Sequence, residues 1–254
     1  MENSNHKNLL RDGRHYDLLS KGVIDDIPFY IQQVKKYGDP VLELACGTGR
    51  VTIPLAESGI NITGIDISES MLSHAQVKTK EKEVDIEWIK ADCRNFHLNK
   101  KFNLIVFPFN TIAILHDLKS IESCFSCVRN HLNDSGRFIV DFFNPRLDIL
   151  TKDPNERDVI AKYPDPDGKG KILVAESHYY DAASQISRVK NYYMIGNQKE
   201  VAVDFNMRIF FPQELDALIH YNGFAVEAKY GNYDETPYIS ESPKQLIVCC
   251  KSAT

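Results

Sequence analysis

Several features are scarce in this chain of 254 residues. It has one tryptophan and six cysteines, and it has no apolar run that approaches a membrane span. Residues 104–109 are the most apolar stretch of the first half, far short of the roughly 20 residues a bilayer requires. The cysteines (Cys46, Cys93, Cys124, Cys127, Cys249, Cys250) lack the spacing of a disulfide scaffold and read as free thiols of a reducing compartment. The first 17 residues are polar and charged, without the apolar centre of a secretory signal. A cytoplasmic location is therefore expected. Positive charge is not in excess either: 30 Lys and Arg face 35 Asp and Glu, for a net charge of −5. Nucleic acid and acidic membrane surfaces both call for a basic face, so neither is expected as a partner. The remainder is ordinary, at 43% hydrophobic and 26% charged, and such a chain can bury a sizeable core.

The hydrophobic pattern changes character along the chain. Ile24, Ile27, Tyr30, Ile31 and Val34 recur at helical spacing before the stop at Gly38 and Pro40. Strand and helix patterns then alternate. Residues 41–45, 61–67, 84–90, 104–107 and 137–143 read as strands, and residues 50–58, 69 onward and 121–132 as helices. Ser68 is placed to cap the second of these helices. This alternation implies right-handed crossovers and a mostly parallel sheet. Residues 153–171, rich in Pro, Asp, Gly and Lys, read as a loop. Residues 172–180, 186–195 and 201–211 are rich in β-branched and aromatic residues, with polar turns at 181–185 and 196–199. They predict a three-stranded antiparallel meander. A helix over 212–221 and strands over 224–230 and 245–251 close the chain.

One segment carries chemistry. Val41-Leu-Glu-Leu-Ala-Cys-Gly-Thr-Gly-Arg50 takes a buried strand through a glycine turn into a helix. An open α/β sheet binds its ligand at such a turn, beyond the carboxyl ends of its strands. Gly47 and Gly49 admit a ligand where a Cβ would repel it. Glu43 can pair with a cationic ammonium, and Asp66 ends the second strand where a carboxylate would accept both hydroxyls of a ribose. The Lys of a phosphate-binding loop is missing, since Arg50 follows the second glycine. Thr52 stands where a dinucleotide fingerprint would have its third glycine.

These residues resemble the class I S-adenosylmethionine (SAM)-dependent methyltransferases. The first motif of that family is E-x-G-x-G-x-G, and Glu43-Leu-Ala-Cys-Gly-Thr-Gly49 matches it with Ala45 for the first glycine. With Ala45 in place of that glycine, the close backbone approach stays intact only if Ala45 avoids positive φ. Gly64-Ile-Asp-Ile-Ser-Glu-Ser-Met-Leu72 is similar to the family's ribose turn, Lys90-Ala-Asp-Cys-Arg94 to its adenine turn, and Leu132-Asn-Asp-Ser-Gly-Arg-Phe138 to the turn into its fifth strand. The four matches, in order, cover about residues 38–145. The rest of the chain is similar, more loosely, to small-molecule N-methyltransferases, including those acting on amino sugars.

The resemblance implies an α/β fold, a doubly wound, mostly parallel seven-stranded sheet with one antiparallel strand near the end. A three-stranded antiparallel β insertion would cover the active-site side. It also implies one methyltransferase domain over 1–254, divided into an N-terminal helical lid (1–37), a cofactor core (38–145), a β insertion (146–211) and a C-terminal helix with two strands (212–254). SAM is the implied cofactor, and the implied methyl acceptor is a small-molecule nucleophile, nitrogen in preference to oxygen or carbon. Gly47, Thr48 and Gly49, followed by Arg50, would line the methionine moiety, and the Ala45 carbonyl would face its amino group. Asp66 would hold the ribose, with Ile67 and Met71 against the adenine. Asp92 would accept from the adenine amino group and the Cys93 amide would donate to the ring. The Phe107 carbonyl would line the transfer site, and Tyr16 would close over the cofactor or simply pack.

His116 is the best-placed base or orienter, or else a loop histidine with a local hydrogen bond. The remaining histidines share no metal spacing, and Cys124-x-x-Cys127 falls on a helix with Ile121 and Val128, where core packing explains it. The residues after the fourth strand are Phe107-Pro-Phe-Asn110, without the Asn/Asp-Pro-Pro-aromatic signature of nucleic-acid amino methylation. Two rival functions stay open on sequence: a non-catalytic SAM-binding protein, and a nicotinamide-dependent dehydrogenase.

Overall fold

The computed structural model describes residue 9, residues 12–196 and residues 200–252. The start of the expected N-terminal lid and most of the turn at 196–199 lie outside the described residues. The described chain divides into two compact units. One joins the residues up to Val23 with Pro145–Ile209, and the other joins Ile24–Asn144 with the residues from Phe210 onward. The stretch expected as a single helical lid is therefore shared between them. Helix α1 (Gly13–Leu19) belongs to the first unit and helix α2 (Ile27–Tyr37) to the second.

The second unit is the doubly wound sheet. After α2 come β1 (Val41–Leu44), α3 (Thr52–Glu57), β2 (Ile62–Asp66), α4 (Glu69–Lys82), β3 (Glu87–Lys90), β4 (Phe102–Phe107), α5 (Leu118–His131) and β5 (Leu132–Phe143). The central strands β1 and β2 are buried along their whole length, as expected for strands covered by helices on both faces. Ser68 caps α4 as its sequence suggests, its hydroxyl accepting from the Met71 amide. Asp117 does the same for α5, accepting from the Ser120 amide at 2.8 Å.

The remaining elements are α6 (Leu147–Leu150), β6 (Asp158–Pro164), β7 (Lys171–Asp181), β8 (Ile186–Ile195), β9 (Val201–Arg208), α7 (Pro212–Tyr221), β10 (Phe224–Tyr230) and β11 (Lys244–Lys251). The seven-stranded sheet has the order β10-β11-β5-β4-β1-β2-β3. β11 runs antiparallel to both β5 and β10, while β1, β2, β3, β4 and β5 pair in parallel. The expected sheet with its one antiparallel strand is thus present. Its core joins Phe29, Tyr30 and Val34 of α2 to Val41, Leu104, Val106, Ile139 and Val248. The direction of winding reverses between β1 and β4, which opens a crevice at their carboxyl ends.

The first unit corrects the sequence reading. Its sheet has four strands, in the order β6-β7-β8-β9, and not three. The extra strand, β6, lies within residues 153–171, which read as a loop. β6 is an edge strand and is mostly exposed, so it shows no two-sided apolar run, and a register shift between Val159 and Ala161 interrupts its alternation. Pro164 ends it, as an edge tolerates. Tyr163 of β6, with Ile172, Val174, Tyr193 and Val203, forms this unit's core, against which Leu18 and Leu19 of α1 pack. Among the described residues no helix is long and apolar enough to cross a membrane.

Candidate functional site

The crevice beyond β1 is built by the turn after Leu44. The Cys46 amide donates to the Ile65 carbonyl and the Gly49 amide to the Cys46 carbonyl, both at 2.9 Å, which folds residues 45–49 back over the strand ends. Ala45, Gly47 and Gly49 all have positive φ, at 51°, 57° and 77°. The condition that Ala45 avoid this region is therefore not met. Ala45 takes the backbone of the glycine it replaces, at a cost of about 1–2 kcal/mol for an L side chain. A Cβ placed on Gly47 would meet nothing within 4 Å, so that glycine faces open space of the kind a ligand fills.

Gly49 is held differently. A Cβ there would lie 2.6 Å from Trp88 Cη2 and 3.0 Å from Ile53. Gly49→Ala is expected to cost about 2–4 kcal/mol in stability, from overpacking and positive-φ strain together. Urea denaturation followed by the fluorescence of the one tryptophan measures it, and a loss under 1 kcal/mol would contradict the close packing.

A cavity of about 140 Å³ adjoins this turn, lined by Ala45, Asp66, Ile67, Ala91, Asp92, Cys93, Arg94, Ile114 and Leu115. The site residues expected from β1, β2 and the turn after β3 are thus brought together. Asp66 is anchored through both oxygens, accepting from the Gly47 amide at 2.8 Å and from the Ser68 amide at 2.7 Å. Asp92 is gripped by Arg94, whose backbone and side chain both donate to it, and this fork lowers the Asp92 pKa below the usual carboxylate range. Two carboxylates with apolar walls between them suit a ribose diol and an adenine amino group. Ile67 and Ile114 stand on those walls, at 61% and 40% exposed. Large aliphatic side chains that open to solvent beside a cavity fit the faces of a flat apolar ring.

The other expected residues fall into place around this cavity or away from it. Met71 is buried on α4, and the lining of the cavity comes instead from Ile114 and Leu115. Thr48 is fully buried in the turn, and Phe107 is buried at the end of β4. His116 is exposed, directly after Leu115 and before the cap of α5. Tyr16 stands on α1, in the other unit. The Arg50 guanidinium is clamped on Asp26, donating to its two oxygens at 2.8 and 2.6 Å, and lies 4.5 Å over the Phe109 ring. Asp26 is fully buried and was not singled out in the sequence, because nothing local to it signals a partner 24 residues away.

Glu43 lies beneath the turn, buried, and accepts a hydrogen bond from the Thr52 hydroxyl. Burial pushes its pKa up to about 8, with Thr52 and Arg50 opposing the rise. The unfolded chain loses this proton near the usual carboxylate value, about 4.3. Between that value and about 8 the folded state holds the extra proton, so stability falls as pH rises through this window. Wild-type stability should decline from pH 5.5 to 7.5 with a Glu43 contribution of at most about 1.4 kcal/mol per unit. Glu43→Gln should flatten that part of the slope in urea denaturation at the two pH values, and an unchanged slope would contradict the buried, protonated Glu43.

Known proteins share parts of this sequence and its fold. Residues 41–136 match the family described as "Methyltransferase domain". A Bacillus subtilis (strain 168) protein, YqeM, named only provisionally as a methyltransferase, is 31% identical over 126 residues. That match covers 49% of this chain and 51% of YqeM, so the chain spans about half the length of that relative. The cypemycin N-terminal methyltransferase of Streptomyces sp is 22% identical over 211 residues, covering 83% of this chain and 82% of that protein. Among solved structures, the CcbJ methyltransferase of Streptomyces caelestis superposes with a TM-score of 0.83 at 20% identity, covering 96% of this chain and 98% of CcbJ. Residues 41–136 thus match a methyltransferase domain, and the chain has the class I SAM-dependent methyltransferase fold.

Proposed function

We propose that this protein transfers the methyl group of SAM to a small-molecule amine, and that its two units serve this one activity in the cytoplasm. The observation that carries the reading is the cavity at the β1–β2–β3 ends, where Asp66, Asp92, Ile67 and Ile114 offer two carboxylates and two apolar walls beside a positive-φ turn. Asp66 would hold the ribose, Asp92 the adenine amino group, and the turn 45–49 the methionine end. The name of the cypemycin relative supports nitrogen as the acceptor atom, and the net charge of −5 favours a small acceptor over nucleic acid.

The cofactor brings an activated sulfonium methyl, so the chain supplies position more than covalent chemistry. Its residues bind and orient the two reactants and keep water away. Holding a nucleophile in line in this way lowers a barrier by about 7–11 kcal/mol. A neutral amine needs no strong base, and His116, exposed after Leu115, would accept its proton or orient it. Incubation with SAM and a panel of primary and secondary amines, alcohols, phenols and carboxylates tests the reading. S-adenosylhomocysteine should form with amines. Formation only with oxygen acceptors would overturn the nitrogen assignment.

A further inference from the structure

One buried carboxylate of the second unit lies outside the lining of the cavity described above. Asp141, on β5, is 0% exposed. Its Oδ2 accepts from the Phe109 amide at 3.0 Å, the Tyr233 hydroxyl at 2.8 Å and the Tyr30 hydroxyl at 3.2 Å. Its Oδ1 pairs with the Lys244 ammonium at 3.0 Å. Four donors thus meet this carboxylate, three at Oδ2 and one at Oδ1, and compensate its burial as a buried charge requires. Burial and the adjacent Asp141 charge push the pKa of both tyrosines up, which keeps them as O–H donors.

The backbone that Asp141 holds is strained. Phe109 and Asn110 have φ of 55° and 61°, two consecutive left-handed residues of which neither is glycine. Such backbone persists only where its surroundings over-determine it. Here they do: the Asn110 amide donates to the Asp141 carbonyl at 3.0 Å, Asn110 Oδ1 accepts from the Phe143 amide at 2.7 Å, and the Thr111 hydroxyl donates to the Pro108 carbonyl at 2.6 Å. The Phe109 ring is in turn covered by Arg50, itself fixed on Asp26. The turn follows β4 directly, at the sheet end where winding reverses and where open α/β sheets hold their reactants.

We propose that Asp141 is a positioning residue for methyl transfer: by clamping the left-handed Phe109–Asn110 turn it aims the backbone after β4 at the acceptor amine. The proposal rests on the methyltransferase reading of the site. An apolar residue at this buried strand position would serve the core at least as well. The carboxylate is distinguished by its bond to the amide of a strained residue.

Asp141→Asn tests this in the full chain by three measurements. Hydrogen–deuterium exchange reads the segment 107–112, calorimetry reads SAM affinity, and S-adenosylhomocysteine release reads transfer to the best amine of the panel. Loss of a charge-assisted bond predicts exchange in that segment faster by about 10- to 100-fold. SAM affinity should stay within about threefold while kcat falls by about 10- to 100-fold, a split that general destabilisation would not produce. If Asp141→Asn unfolds through the stranded Lys244 ammonium, Asp141→Asn/Lys244→Met removes both charges and is read the same way. Unchanged exchange, unchanged kcat, or SAM affinity falling in step with kcat would each overturn the proposal. Failure of the wild type to bind SAM would instead sink the methyltransferase reading, and the exchange measurement would then decide alone whether Asp141 holds the turn.

Discussion

Asp66→Ala is expected to weaken SAM binding by about 10²- to 10⁴-fold. The estimate follows from two hydroxyls each donating to an ionised acceptor, at about 1.5–3 kcal/mol apiece. The carboxylate is pre-set for this, because the Gly47 and Ser68 amides hold its two oxygens at 2.8 and 2.7 Å. The same bonds mean that alanine also leaves two backbone donors without their acceptor. Folding stability should fall with affinity, by about 1–3 kcal/mol. Asp66→Asn keeps one acceptor oxygen and should fall between wild type and alanine in affinity. Calorimetric titration at a temperature where each variant is shown to be folded separates the two effects. Asp66→Ala with wild-type affinity would remove Asp66 from the site.

Arg50→Met is expected to cost about 3–5 kcal/mol of stability, one of the larger single-residue effects in the chain. Asp26 is 0% exposed, and both of its oxygens are taken by the Arg50 guanidinium. Removing the cation leaves a buried charge without compensation, and that penalty exceeds the net worth of the pair. The contact with the Phe109 ring, at 4.5 Å, goes with it and adds about 0.5–1 kcal/mol. The double variant Asp26→Asn/Arg50→Met should regain most of the loss, since it strands no charge. Urea denaturation of the two single variants and the double gives the coupling. Additive losses would show that the two side chains do not form a buried pair.

The half of the second unit that carries the candidate site was legible in the sequence because its signals are local. The strand, glycine turn and helix of residues 41–58 lie within one short window, and Ser68 and Asp66 sit where a strand passes into a capped helix. Ile67 was legible for the same reason. Ile114 and Leu115 were not, because an apolar pair in a loop after β4 has no period to mark it. Asp26 and Asp141 were missed on physical grounds of a different kind. Their partners stand far along the chain, Arg50 for the first and Tyr30, Phe109, Tyr233 and Lys244 for the second, and only the folded unit brings them together. In the first unit β6 was hidden by its own exposure, since an edge strand open to solvent writes no buried pattern. The positive φ of Ala45 was an open question in the sequence, because alanine rarely adopts it and only the folded turn imposes it.

On the proposed function, the cavity between Asp66 and Asp92 takes SAM. Calorimetric titration of the purified chain with SAM, S-adenosylhomocysteine and NAD measures this. Micromolar binding of the first two and none of the third is expected. Binding of NAD in preference to SAM, or no SAM binding by folded protein, would contradict it.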